Sequence, residues 1–153
     1  MRARTLRFIS LFFLAMTIEK RFKKKSFKLR LKEACEGLVY VSETDSAVEP
    51  FFGEKARSRS SADVLTAIGV PDFLHVAKID FEKFFERLTS EKDWFGDRHK
   101  INANGFKALK RLLENELTDL KVFRVGKIQI AIYVLGFDKD GKVAVVKMNA
   151  IET

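Results

Sequence analysis

The C-terminal part of the chain holds three runs of strand-forming residues joined by very short links. The runs span residues 122–125, 128–137 and 143–148, and they are rich in the β-branched and aromatic residues that favour strands. Gly126 and Lys127 join the first two runs, and a turn over residues 139–142 joins the last two. Since parallel strands need a connection of about a dozen residues or more, these runs predict an antiparallel meander.

Helical patterns precede this meander. Apolar positions at helical spacing begin after Lys28 and stop at Gly37, which can adopt the left-handed conformation that ends a helix. Ser61 and Asp80 are the expected N-caps of a second and a third helix, and the longest helix is expected at residues 99–118. The third helix carries an apolar face of Phe81, Phe84, Phe85 and Leu88. This order of elements predicts an α+β fold in which helices cover an antiparallel sheet.

Extended chain is predicted between the first two helices. A strand is expected at residues 38–41, and Ser42-Glu43-Thr44-Asp45 has the composition of a turn. Residues 48–52 favour a second strand, which Pro50 confines to an edge or a loop because proline cannot donate a ladder hydrogen bond. Residues 54–61 are expected to form an exposed connection.

Basic charge is concentrated near the start of the chain. The formal net charge of the whole sequence is +8. Residues 1–30 contain ten basic side chains and one acidic side chain, and the 19 basic and 20 acidic residues that remain make the rest about neutral. Any contact with nucleic acid or an anionic membrane surface is therefore expected from this segment, above all from residues 20–30.

Residues 1–27 are expected to form a basic, partly apolar leader in front of a domain at residues 28–153. Three arginines precede an apolar run at residues 8–16, which is the order found in a secretory signal. The run is much shorter than the roughly 20 residues that span a bilayer, and no small-residue cleavage site follows it. Two interpretations stay open: export directed by residues 1–16, or translation from Met16 giving a disordered basic arm on a cytoplasmic protein.

The sequence lacks the patterns of common catalytic sites. It contains no P-loop, G-x-G-x-x-G, G-x-S-x-G or H-E-x-x-H pattern. Cys35 is the only cysteine, which excludes an intramolecular disulfide and a CxxC motif. His75 is expected in a strand and His99 in the first turn of a helix, and neither has a Cys or acidic neighbour at metal-ligand spacing. The sequence therefore predicts neither an enzyme nor a bound metal or cofactor.

Four segments resemble the nuclease A inhibitor family, small proteins that block a sugar-non-specific DNA/RNA endonuclease. They are LKEACEGLVYVSETD (31–45), VAKIDFEKFFERLTSEKDW (76–94), KVFRVGKIQIAIYVLG (121–136) and IET (151–153). They occur in the family order and at nearly the family spacing. The resemblance implies an α/β/α sandwich around a mainly antiparallel sheet, as in pathogenesis-related proteins. It also implies a protein that binds a nuclease and catalyses no reaction.

The resemblance further implies which residues contact the nuclease. Glu43 matches the acidic residue after the first strand, which can pair with a basic residue that normally grips a phosphate. Asp93 and Trp94 match an acid and an indole on an exposed loop, a pair suited to an interface anchor; alternatively, Trp94 packs over the N-terminus of the longest helix. Thr153 matches a C-terminal threonine whose hydroxyl and carboxylate reach the Mg²⁺ of the bound nuclease, and Glu152 adds negative charge beside it.

Two functions are open on these grounds. In the first, the chain plugs the active site of a sugar-non-specific, Mg²⁺-dependent endonuclease. In the second, the same fold is a general protein- or nucleic-acid-binding module whose basic N-terminal segment contacts anionic surfaces. The nearly neutral body motivates this alternative, because a protein that mimics nucleic acid is usually acidic. Neither function implies a small-molecule substrate.

Overall fold

The computed structural model describes residues 25–92 and 96–153. Residues 1–24 of the leader expected at 1–27 lie outside the described residues, and so does the pair Asp93 and Trp94. Within the described residues, the helices are α1 (Phe27–Cys35), α2 (Ser61–Ala67), α3 (Phe81–Thr89) and α4 (Asp97–Glu116). The strands are β1 (Val39–Val41), β2 (Asp45–Ala47), β3 (Glu49–Lys55), β4 (Val76–Ile79), β5 (Thr118–Val125), β6 (Gln129–Phe137) and β7 (Lys142–Ile151).

Five strands form the central sheet in the order β3-β7-β6-β5-β4. Each neighbouring pair is antiparallel, and the hairpins β5-β6 and β6-β7 confirm the predicted meander. Pro50 lies in β3, at an edge of this sheet, as predicted. β1 and β2 form a separate antiparallel hairpin, of which β2 was not predicted.

Both faces of the sheet are buried. Val122 and Val134, which pair across β5 and β6, belong to the apolar cluster formed with α1, α3 and α4. Phe123 and Leu135 point to the other face and belong to the cluster formed with α2, because successive residues of a strand alternate between faces. The result is the predicted α+β fold, an α/β/α sandwich around an antiparallel sheet. Among the described residues, no helix is both long and apolar enough to cross a membrane.

Local signals place the helix ends close to their predicted positions. Asp80 accepts a hydrogen bond from a first-turn backbone N–H of α3 at 3.0 Å, as an N-cap does. Gly37 has a φ of 76° just after α1, which confirms its role in ending that helix. The prediction of Ser61 as an N-cap is wrong by one residue. Ser60 has the extended backbone that a cap needs, and its hydroxyl accepts from the Asp63 N–H at 3.3 Å.

Some boundaries differ from the prediction. The longest helix runs from Asp97 to Glu116 and not from 99 to 118, because the backbone becomes extended at Leu117 and leads straight into β5. β3 continues to Lys55, so the exposed connection predicted at 54–61 starts two residues later than expected, at residue 56. His75 lies just before β4 and not in it, whereas His99 is in the first turn of α4 as predicted.

The connection around Arg59 is fixed to one end of the central sheet. Arg59 forms an ion pair with Asp119, which lies in a bulge near the start of β5, and the hydrogen bond from Arg59 lowers the pKa of Asp119. β6 pairs its last residue with the start of β5 and its first residue with the end of β7. The Arg59 connection and the end of β7 therefore lie at opposite ends of the sheet.

Candidate partner-binding site

Glu43 and Thr153, two residues implied by the family resemblance, are in direct contact. The Thr153 backbone N–H donates to Glu43 Oε1 at 3.1 Å. The Thr153 hydroxyl lies 3.0 Å from Oε1 and 3.2 Å from Oε2. Both residues are exposed. The structure thus joins the β1–β2 turn and the segment after β7 into one polar surface site.

Ser42 shapes the turn that carries Glu43. Its hydroxyl donates to the Thr44 carbonyl at 2.8 Å and accepts from the Thr44 N–H at 3.3 Å. The same oxygen accepts from the Ile151 N–H at 3.4 Å. On β2, the Ser46 hydroxyl accepts from a β7 backbone N–H at 2.9 Å. Two serines therefore hold the hairpin alongside the end of β7.

Glu152 is held by two contacts of its own. Its backbone N–H donates to the Ile128 carbonyl, in the β5–β6 turn, at 3.0 Å. Its carboxylate forms an ion pair with Arg124 of β5, with 2.5 Å between Nη2 and Oε1. The Glu152 side chain is therefore engaged within this molecule. We call the group Ser42, Glu43, Arg124, Glu152 and Thr153 the Thr153 cluster.

Asn102 of α4 fixes the hairpin to the body of the protein. Its side-chain amide donates to the Val39 carbonyl at 2.8 Å and accepts from the Val39 N–H at 3.0 Å. The amide thus pairs with β1 as a neighbouring strand does. Because β1 leads directly into the turn, this contact helps to set the position of Glu43.

Tyr40, the middle residue of β1, lies near the charged members of the cluster. Its ring stacks on Phe84 of α3, with the two centroids 6.2 Å apart. Burial raises the pKa of Tyr40; the positive charges of Arg124 and Arg87 oppose this effect and the charge of Glu152 adds to it. The phenol is therefore neutral at physiological pH and leaves the charge of Glu152 to be balanced by arginine.

The Asp93–Trp94 pair is not placed by the structure, although both flanks of its loop are described. Ser90 follows α3, and Gly96 is the N-cap of α4. Ser90 and His99 line the same surface depression as all three residues of β1. Ser90, at the end of α3, and His99, in the first turn of α4, therefore lie beside the strand that leads to Glu43.

Exposed apolar side chains lie at the same end of the sheet as Thr153. Phe73 is 83% exposed and Ile128 is 59% exposed. Leu74, next to Phe73, lines a depression together with Ile151, and the Ile128 carbonyl is the one that holds Glu152. The polar Thr153 cluster therefore has apolar neighbours, as the contact surfaces of proteins commonly do.

Sequence reasoning missed Ser42 and Arg124. Arg124 was recognisable in principle, because it interrupts the apolar run Val122-Phe123-Arg124-Val125 in a sheet with both faces covered. A charged residue in such a run needs a partner, but no spacing rule identifies Glu152 as that partner. Ser42 was expected only as a turn residue, and its contact with Ile151 joins positions more than 100 residues apart.

Within 25–92 and 96–153, no three or more His, Cys, Asp or Glu side chains are grouped so that they could hold a metal ion. The Asp138 carboxylate accepts from the Asp140 and Lys142 N–H groups at 2.8 and 3.0 Å. It thus shapes the β6–β7 hairpin turn.

The fold and the site define a small three-layer α+β protein that presents carboxylates and a hydroxyl on an exposed surface at one end of its sheet. Residues 25–153 match the model of the family described as nuclease A inhibitor-like protein, NuiA, and the chain belongs to this family. The resemblance seen in the sequence is thereby confirmed. A comparison with curated proteins found no match. The family description indicates a nuclease as the partner and an inhibitory role.

Proposed function

We propose that this chain inhibits a sugar-non-specific, Mg²⁺-dependent endonuclease by plugging its active site and that it is not itself an enzyme. Family membership supports the general role. The contact between Thr153 and Glu43 is the single observation that carries the specific mechanism. The residues assigned to the interface are Glu43, Asp93, Trp94, Glu152 and Thr153.

The Thr153 hydroxyl has the environment that a metal ligand needs. Mg²⁺ binds hard oxygen donors, and a neutral hydroxyl coordinates through an oxygen lone pair while its proton goes to another acceptor. Glu43 is that acceptor, at 3.0 Å from the hydroxyl. With its proton directed to Glu43, the Thr153 oxygen keeps a lone pair for the metal of the bound nuclease.

Glu43 has capacity left for a second role in the interface. Its Oε1 accepts two hydrogen bonds from Thr153, whereas Oε2 has one longer contact with the hydroxyl, at 3.2 Å. A carboxylate offers about four acceptor positions. A guanidinium or ammonium group of the nuclease can therefore pair with Glu43 while Thr153 stays in place.

Glu152 does not present a free negative charge to the nuclease. Its ion pair with Arg124 balances that charge within the molecule, so Glu43 is the acidic side chain of the cluster that is available to a basic partner. We assign Asp93 and Trp94 to the edge of the same interface, because Ser90 before them and His99 after them lie beside β1. The aromatic side chain would supply apolar contact area there.

The alternative function receives less support from the described basic residues. Lys25 forms an ion pair with Glu33, and Arg30 forms one with Glu116. The Nζ atom of Lys28 lies 5.0 Å from the centre of the Phe52 ring. These contacts engage basic side chains that would otherwise be available to bind a nucleic acid or an anionic membrane surface.

Titration of DNA cleavage tests the proposal. The full chain is added to a Mg²⁺-dependent, sugar-non-specific endonuclease at fixed concentration, and plasmid cleavage is followed at several salt concentrations. We expect cleavage to fall to zero near one inhibitor per nuclease with little dependence on salt. If the chain instead protects DNA by binding it, the effect will track the DNA concentration and weaken steeply with salt. That result, or uninhibited cleavage by several such nucleases, would reject the proposal.

A further inference from the structure

We propose that Arg124 is a positioning residue that holds Glu152 and thereby presents Thr153 to the nuclease, an inference that rests on the proposed function. Nothing in the family resemblance assigns a role to Arg124. Among the described residues, its ion pair with Glu152 links the central sheet to the residue next to Thr153.

The location of Arg124 explains why this contact is well defined. Arg124 projects from the same sheet face as Val122 and pairs across the sheet with Ile132, and both of these neighbours are fully buried. The Arg124 side chain is only 27% exposed. A guanidinium in such surroundings is unfavourable without a hydrogen-bonded acceptor. Glu152 supplies that acceptor from a more exposed position.

The segment that Arg124 holds has little other support. β7 ends at Ile151, and the Glu152 N–H bond to Ile128 is the last backbone contact before Thr153. Chain segments beyond the last strand residue are poorly ordered unless they are tied down. Arg124 fixes Glu152 from β5, and Glu43 fixes Thr153 from the β1–β2 turn. Together the two side chains hold two adjacent residues.

Positioning of this kind strengthens binding without any contact to the partner. A segment that is already ordered loses less conformational freedom when it binds. Freeing two residues would weaken binding by roughly tenfold or more, given the usual entropy of ordering a residue. Arg124 thus acts through Glu152 and Thr153, and its removal should have no further effect once the Glu152 side chain has been removed.

A double-mutant cycle tests this dependence. Arg124→Met, Glu152→Ala and the double variant are compared in the full chain, with Arg124→Lys as the conservative variant and Arg111→Met, an exposed position on α4, as the matched control. We expect each single variant to weaken nuclease inhibition roughly tenfold and the double variant to be no weaker than either one. Arg124→Lys should keep most of the inhibition. Glu152→Ala removes the acceptor of Arg124 at a position beyond the last strand, so it remains informative if Arg124→Met fails to fold.

The order of Thr153 in the free protein provides a readout that needs no nuclease. The ¹H–¹⁵N heteronuclear NOE of its backbone amide should fall in Arg124→Met and Glu152→Ala and stay unchanged in Arg111→Met. Additive losses of inhibition in the cycle, or a Thr153 amide that stays equally ordered in both variants, would overturn the inference. If the wild-type chain fails to inhibit any nuclease, the proposed function is rejected, and the NOE still decides whether Arg124 positions Thr153.

Discussion

Thr153 donates both its backbone N–H and its hydroxyl to the side chain of Glu43, although the two residues lie 110 positions apart in the sequence. The contact joins the turn of a small hairpin to the segment after the last strand. In the proposed mechanism this carboxylate has two related tasks. Glu43 orders Thr153, and it accepts a hydrogen bond from the Thr153 hydroxyl so that the oxygen can face a metal on the partner.

Substitutions of Glu43 can separate its hydrogen bonds to Thr153 from its proposed ion pair with a basic residue of the nuclease. Glu43→Ala removes both hydrogen bonds and the charge, and we expect inhibition to weaken about tenfold to a hundredfold, the range for losing a charged hydrogen bond. Glu43→Gln keeps an acceptor for Thr153 but has no charge, so it should order Thr153 nearly as well and inhibit at an intermediate level. Inhibition constants and the Thr153 amide NOE measure the two effects. Wild-type inhibition by Glu43→Ala would exclude a role for this contact.

Asn102 should stabilise the protein through its two hydrogen bonds to Val39. Asn102→Ala leaves the N–H and carbonyl of Val39 without this partner, and we expect a loss of about 1–3 kcal/mol in the free energy of unfolding. Asn104→Ala is the matched control, because Asn104 is exposed two residues further along α4. It should be neutral or slightly stabilising, since alanine is the better helix former. Equal effects of both variants in urea unfolding would contradict the role of Asn102.

Gly126 occupies a backbone position that should not accept a side chain. Its φ is 107°, and an added Cβ would lie 2.2 Å from the Gln129 carbonyl oxygen. We expect Gly126→Ala to lower the free energy of unfolding by at least about 3 kcal/mol, from strain and steric overlap together. Gly37 also has a positive φ but has no atom within 4 Å of an added Cβ, so Gly37→Ala should lose only about 1–2 kcal/mol. Denaturant unfolding measures both losses. A larger loss of unfolding free energy in Gly37→Ala than in Gly126→Ala would refute this account.

Cys35 should make the stability of the protein fall at alkaline pH. Burial raises the pKa of the Cys35 thiol from 9.0 to about 12, so above pH 9 the unfolded chain releases a proton that the folded protein retains. This contribution is fully present below pH 9 and is lost as the pH rises towards 12. Between pH 8 and pH 10 the loss should be about 1 kcal/mol.

Comparison with Cys35→Ala isolates this titration from those of lysine and tyrosine. The difference in unfolding free energy between wild type and Cys35→Ala should shrink by that amount from pH 8 to pH 10. A difference that is independent of pH would show that the thiol ionises equally in the folded and unfolded states. In the folded protein the buried thiol should also react very slowly with thiol reagents at pH 8.

Local chemistry explains which parts of the fold were predictable. The cap at Asp80, the stop at Gly37 and the short hairpin links depend on residues close together in the sequence, and their geometry follows from side-chain and backbone preferences. The end of the longest helix was harder to predict, because Leu117 is a good helix former and only its burial next to the sheet makes it extended. Tertiary packing, which the local pattern does not contain, decided that boundary.

The candidate site was predictable only in part for the same reason. Glu43, Glu152 and Thr153 were proposed from the resemblance to a family, and their residue types alone would not have singled them out. Their mutual contact, and the support from Arg124 and Ser42, arise where β5, β7 and the β1–β2 turn converge. Such pairs join distant positions, so only the sheet register reveals them.

The most direct test of the central claim compares Thr153→Val and Thr153→Ser with wild type as inhibitors of a Mg²⁺-dependent, non-specific endonuclease. Valine keeps the shape of threonine without its hydroxyl, and serine keeps the hydroxyl. Thr66→Val, at an exposed position on α2, controls for the same chemical change elsewhere. We predict that Thr153→Ser and Thr66→Val inhibit nearly as well as wild type and that Thr153→Val has an inhibition constant at least about thirtyfold higher. Equal inhibition by Thr153→Val would contradict the proposal that this hydroxyl binds at the metal site of the nuclease.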